Sequence, residues 1–302
     1  MTMEQGGISI ISPTISENSV SKTKSIGIAL RTSASFQSAK EKLRMPWLAS
    51  LTREEASLWD TVMLGLGEII GTAILVFLGC LGCVGSMGQT PPLMQLSLTF
   101  GFAVMIAIQA VGHVSGAHIN PSVTLASLIM GKMSLPMAGL YFIAQCAGGC
   151  LGYGLLKVIT PEHMLHAGST DSLDSFCVTI LQKDMSPMQG FITEVLATGL
   201  LILFACGIWD ARNERNTDSV PMKFGFCVAA LCFAFAPYTG CSLNPARSLA
   251  PAIWNGYWEH HWIFWAGPFV GTILTSVFYR CVFLPRGMKN EQDGAALSGV
   301  ET

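Results

Sequence analysis

Gly116-Ala117-His118-Ile119-Asn120-Pro121-Ser122 and Gly240-Cys241-Ser242-Leu243-Asn244-Pro245-Ala246-Arg247 carry Asn-Pro 124 residues apart in the same kind of setting. In both, Asn stands where its side-chain oxygen can cap a helix, and Pro takes the first helical position, where its missing N–H is not needed. The apolar runs that follow, 123–130 and 248–254, are about two turns long, half of what a bilayer crossing requires. A helix that starts in the middle of apolar sequence and stops half-way across is a re-entrant half-helix. Irregular backbone at that depth survives only when it is buried in protein or lines water. The Gly-containing segments before each Asn are therefore expected to line a narrow aqueous path.

Around these two phrases lie six runs long enough to cross roughly 30 Å of hydrocarbon: 60–84, 94–113, 136–159, 188–209, 222–238 and 260–284. An internal repeat organises them. Glu68-x3-Thr72-x2-Leu75-x4-Cys80 matches Glu194-x3-Thr198-x2-Leu201-x4-Cys206 at an offset of 126. Phe100-Gly101-Phe102 matches Phe224-Gly225-Phe226 at 124, and Ala147-Gly148-x3-Gly152 matches Ala266-Gly267-x3-Gly271 at 119. Each half holds three spans and one broken segment. Three is odd, so the second half enters the membrane upside down relative to the first, and the two half-helices meet N-terminus to N-terminus near the midplane. The expected fold class is an all-α membrane protein with six transmembrane helices plus two re-entrant half-helices in an inverted 3+3 repeat.

Composition agrees. The 302 residues are 51% hydrophobic and only 12% charged, about half the charge of an ordinary soluble domain, with net charge −2. Mean hydropathy is +0.49. These values exclude a cytosolic enzyme and a disordered regulator, and a nucleic-acid binder would need a basic stripe that is missing. Residues 1–58 are polar and carry seven Lys/Arg, and read as a mostly disordered cytosolic tail; 286–302 read as a second, shorter one. Lys/Arg counting puts fourteen on the side of the termini, against Lys157 and Lys183 opposite, so both termini are expected in the cytosol of a multi-pass protein of the cell membrane. The ten cysteines lie almost all in or beside apolar runs, Cys177 alone in a polar loop, and read as small buried hydrophobes rather than a disulfide framework.

The paired Asn-Pro-Ala-type boxes, Asn120-Pro121-Ser122 and Asn244-Pro245-Ala246, make the chain resemble the aquaporin (major intrinsic protein) family over residues 59–285, with repeat halves at about 59–160 and 186–285. Ser122 departs from the usual Ala, and its small size is expected to be tolerated. The resemblance implies a homotetramer with one pore per subunit, no cofactor, no catalytic residues and no nucleic-acid partner; the partners are the lipid bilayer, water and small neutral solutes. It implies pore asparagines at Asn120 and Asn244. Carried over by spacing, it implies a narrowest ring of Phe100, Cys232, Cys241 and Arg247. Water-selective members usually place His at the position of Cys232. Insect glycerol-conducting members, the entomoglyceroporins, resemble this chain in having a small residue there, which implies passage of glycerol and urea beside water. Ser248, Ala252 and Phe264-Trp265, however, look like a water-channel frame.

The remaining polar groups inside the spans admit two readings each. Glu68 and Glu194 are costly intramembrane carboxylates: they either relay protons or accept hydrogen bonds from the re-entrant backbone, and the family resemblance favours loop support. His118 reads as a pore-wall residue rather than a metal ligand, because no second ligand stands at a suitable spacing. Arg247, expensive in hydrocarbon, is expected to face water. An ion-coupled transporter with Glu68 and Glu194 as its site, a water-selective channel with little solute flux, and a junctional membrane protein of the same fold remain alternatives.

Overall fold

The computed structural model describes residues 57–85, 89, 91–165 and 175–284. The tails expected over 1–58 and 286–302 lie outside the described residues, apart from Ser57 and Leu58. Among the described residues eight helices build the bundle: α1 (Leu58–Leu81), α2 (Leu93–Ser115), α3 (Pro121–Ile129), α4 (Leu135–Ile159), α5 (Pro187–Trp209), α6 (Val220–Thr239), α7 (Pro245–Asn255) and α8 (Ile263–Phe278), the last prolonged by a π-helical turn, Tyr279–Phe283. Six of them, all except α3 and α7, are long and apolar enough to cross a membrane. The span expected from 260 starts instead at Ile263, because His260 takes a left-handed φ of 49° and breaks the run. The first span stops at Leu81 rather than 84: Gly82 returns its N–H to Leu78 and Cys80, and Cys83 lies in the turn beyond.

The halves pack alike. α1 lies against α4 and α2, α5 lies against α8 and α6, and α2 and α6 join the halves. The half-helices cross over, α3 packing on α8 and α7 on α4. In lipid, close backbone approach replaces the hydrophobic effect as the force between helices, and small residues permit it. The matching Ala-Gly-x3-Gly motifs do this work. A Cβ on Gly148 or Gly152 would collide with the α1 backbone at Ile69 or Ala73, and one on Gly267 or Gly271 would collide with α5 at Glu194 or Val195. The outward faces carry exposed Ile143, Leu155, Val158 and Leu274, as a lipid-facing surface requires.

Candidate functional site

The two Asn-Pro segments meet inside the bundle. α2 ends on Gly116 and α6 on Gly240, at φ 76° and 74°, the left-handed conformation that glycine adopts without penalty. The chain then alternates. Ala117 and Ile119 both have φ 46°, and Cys241 and Leu243 have 53° and 55°, the same positions relative to each Asn. Non-glycine residues in this region cost of the order of 1–3 kcal/mol each and persist only when their surroundings over-determine them.

Two buried carboxylates and two hydroxyls do so. Glu68 Oε1 accepts from the N–H of His118 (2.9 Å) and Oε2 from that of Ile119 (2.7 Å). Glu194 repeats the arrangement, with Ser242 N–H at 2.9 Å and Leu243 N–H at 3.2 Å. Ser115 Oγ donates to Glu68 (2.7 Å) and accepts from the Ala117 N–H (3.1 Å); Thr239 Oγ1 donates to Glu194 (2.6 Å) and accepts from the Cys241 N–H (3.3 Å). Gln145 Nε2 adds a fourth donor to Glu68 at 2.7 Å. With those N–H groups engaged, carbonyl oxygens are the backbone polarity left for the cavity that these segments line.

Asn120 and Asn244 cap α3 and α7. Asn120 Oδ1 accepts from Ser122 N–H at 2.8 Å, and Asn244 Oδ1 accepts from Ala246 and Arg247 N–H at 3.0 and 3.3 Å. Because each oxygen faces its own helix terminus, each NH2 must face away from it. One N–H of Asn120 reaches the Leu243 carbonyl at 2.9 Å, and one of Asn244 reaches the Ile119 carbonyl at 2.8 Å, so the two halves are latched crosswise. An amide carries two N–H donors, which leaves a second on each Asn for the cavity.

That cavity, about 110 Å³, is lined by Asn120 and Asn244, by His118, and by Phe100, Cys232, Cys241 and Arg247. Apart from Ser242 and the re-entrant backbone, the rest of its wall is apolar, from residues such as Leu75, Val104, Leu201 and Val228. The Arg247 guanidinium lies 4.5 Å from the Phe100 ring centroid, so the aromatic face and the cation are stacked rather than set on separate walls. Arg247 Nη1 donates to the Cys177 carbonyl at 2.9 Å. His118 sits among Thr124 Oγ1 (3.2 Å from Nδ1) and the rings of Tyr141 and Trp209.

Cysteine chemistry departs from expectation. Cys80 in α1 and Cys177 in the segment before α5 form a disulfide, with Cα atoms 5.8 Å apart, so these two are not inert buried hydrophobes. A pairing across 97 residues leaves no trace in local patterning. Ser115, Thr239 and Gln145 also escape sequence reading, although Ser115 and Thr239 stand 124 residues apart, the offset of the Asn-Pro boxes, and that match could have exposed them.

Ser122 is wholly buried, and its hydroxyl finds no hydrogen-bond partner among the described residues. An orphaned hydroxyl of this kind costs about 1 kcal/mol or more. Ser122→Ala, which makes the first box match Ala246, is therefore expected to raise the thermal unfolding midpoint in detergent and to leave permeability unchanged. A lowered midpoint would show that the hydroxyl is in use.

The family model for the major intrinsic proteins matches residues 55–279. The chain is 36% identical to human aquaporin-2 over 234 residues, 78% of this chain and 83% of the relative, and 34% identical to mouse aquaporin-4 over 222 residues, 72% and 66% of the two lengths. Its fold is similar to the X-ray structure of the aquaglyceroporin from Plasmodium falciparum, with a TM-score of 0.63 at 23% identity, covering 76% of this chain and 99% of that one. Two asparagine-capped half-helices latched at the centre of a six-span bundle, together with these matches, establish that the chain belongs to the major intrinsic protein (aquaporin) family, whose members are membrane channels and not enzymes.

Proposed function

We propose that the protein is a passive channel for water and small uncharged solutes such as glycerol and urea, and that it excludes ions and protons. The observation that carries this reading is the crosswise latch: it leaves one N–H of Asn120 and one of Asn244 aimed at a narrow cavity that is otherwise apolar on much of its wall. A passing oxygen accepts from these donors and recovers part of its lost hydration. Each half-helix N-terminus contributes roughly half a positive charge at the same point, which repels cations and reorients water, interrupting proton transfer. Arg247 adds a full charge at one end. Glu68 and Glu194 hold the re-entrant backbone, and His118 forms part of the pore wall.

The solute range rests on the ring of Phe100, Cys232, Cys241 and Arg247. With one face of Phe100 stacked against the guanidinium, the perimeter offered to a solute is the rest of the Phe100 ring, two weakly polar thiols and the donor edge of Arg247. That suits an amphipathic polyol better than a ring containing His would. The reading includes a homotetramer with one pore per subunit, residence in the cell membrane, and both termini in the cytosol. Proteoliposomes test it. Osmotic shrinkage should be faster than in empty vesicles, followed by re-swelling in glycerol or urea gradients, with no dependence on an ion gradient. Water flux without solute entry would favour a water-selective channel; uptake that requires an ion gradient would favour a transporter.

A further inference from the structure

Arg247 is buried, and among the described residues the Cys177 carbonyl is the one oxygen that its guanidinium reaches. The position of that carbonyl is therefore the position of the filter cation. Several bonds fix it. The neighbouring Phe176 carbonyl accepts from Tyr153 Oη in α4 at 2.9 Å and from Asn255 Nδ2 at the end of α7 at 3.0 Å. Cys177 itself has φ 58°, a conformation that a non-glycine residue holds only under constraint. Its sulfur supplies the constraint through Cys80 in α1 and lies 3.7 Å from Arg247 Nη2. Residues 175–186 precede α5 and residues 210–219, with Arg212 and Arg215, follow it, so Cys177 lies at the opposite end of that span from these arginines, on the side expected to be extracellular, where a disulfide persists.

We propose that the Cys80–Cys177 disulfide is a specificity-determining tether: it holds the Cys177 carbonyl against Arg247 and so sets the aperture of the filter. When the bond is broken, Cys177 relaxes from its left-handed conformation and the carbonyl withdraws. A buried guanidinium that loses its acceptor turns to the nearest water, which is in the lumen, and there it obstructs a bulky solute before it obstructs water. Cys83 Sγ lies 3.6 Å from Cys177 Sγ, close enough to complicate any single substitution of Cys80. Burial pushes the Cys83 thiol up to about 11, which keeps it protonated at neutral pH while the native bond is intact.

The inference rests on Arg247 being part of the filter, and the test separates the two. Reconstituted protein is treated with a water-soluble phosphine, which reduces the disulfide to two thiols and is itself oxidised to the phosphine oxide with oxygen from water; alkylation and mass measurement verify the break. Glycerol permeability should fall several-fold and water permeability by less, and both should recover when oxidised glutathione re-forms the bond by releasing two reduced glutathiones. In Arg247→Met the same treatment should change neither. The Cys80→Ser, Cys83→Ser, Cys177→Ser protein should behave like the reduced wild type and ignore the phosphine. Unchanged permeability in wild type with the bond verified as broken overturns the proposal, and so does an equal loss in Arg247→Met, which would make the bond merely structural. If wild type excludes glycerol, the solute range proposed above fails separately, and the water response still decides the tether.

Discussion

Glu194→Leu and Glu68→Leu are each expected to remove the folded channel from the membrane. At Glu194 the change orphans the Thr239 hydroxyl proton and the Ser242 and Leu243 N–H groups; at Glu68 it orphans the Ser115 hydroxyl proton, the His118 and Ile119 N–H groups and one N–H of Gln145, whose other N–H keeps Thr124. A buried donor left unpaired costs about 1–3 kcal/mol, so three or four together reach about 3–12 kcal/mol. That is comparable with a whole domain's stability of about 5–15 kcal/mol. The strained residues Ile119 and Leu243 lose the acceptors that hold them at the same time. Glu194→Gln should be milder: its remaining oxygen can still serve Thr239 and Ser242, and only the longest contact, to Leu243 at 3.2 Å, meets an NH2 instead. Chromatographic monodispersity and water permeability per reconstituted subunit provide the measurement. Leu variants that reconstitute with wild-type flux would show that the carboxylates do not support the loops.

Cys232→His is expected to lower glycerol and urea permeability at least about tenfold while sparing water, the scale on which pocket size discriminates between substrates. Cys232 lines the same cavity as Cys241 and Arg247, and its side chain is small and weakly polar. An imidazole there would fill the perimeter that the stacked Phe100–Arg247 pair leaves open, and would add a hydrogen-bonding group that a water molecule can use. The variant must be compared at equal reconstituted density. Glycerol flux that survives the substitution would show that Cys232 is not at the constriction, and the ring inferred from spacing would have to be redrawn.

The parts of this molecule that follow from local chemistry are legible in its sequence. Asn120-Pro121 and Asn244-Pro245 announce half-helices because capping and proline geometry act within a few residues; the Ala-Gly-x3-Gly motifs read in the sequence as markers of the repeat, and their role as close helix contacts emerges from the packing. Repetition exposes the rest of the frame: Glu68 and Glu194 stand out as a matched pair of acids in apolar spans. What escapes lies between segments. The disulfide of Cys80 with Cys177 depends on where a long connection between the halves comes to rest, and Cys177 has no counterpart in the repeat. The stacking of Arg247 on Phe100 likewise joins residues 147 positions apart, and spacing places both at one ring without saying that they touch. Span ends shifted by a few residues where Gly82 and His260 stop or delay a helix.

The most direct test measures water and protons in the same vesicles. Two half-helix N-termini and the free N–H groups of Asn120 and Asn244 at one point of the pore should orient each water so that it accepts from the protein and cannot pass a proton along the file. Proteoliposomes loaded with a pH-sensitive dye and subjected first to an osmotic step and then to a pH step should show water permeability well above that of empty vesicles and a proton leak indistinguishable from theirs. Water permeability no higher than in empty vesicles, or a proton leak that rises with protein density, would contradict the channel and its midpoint barrier.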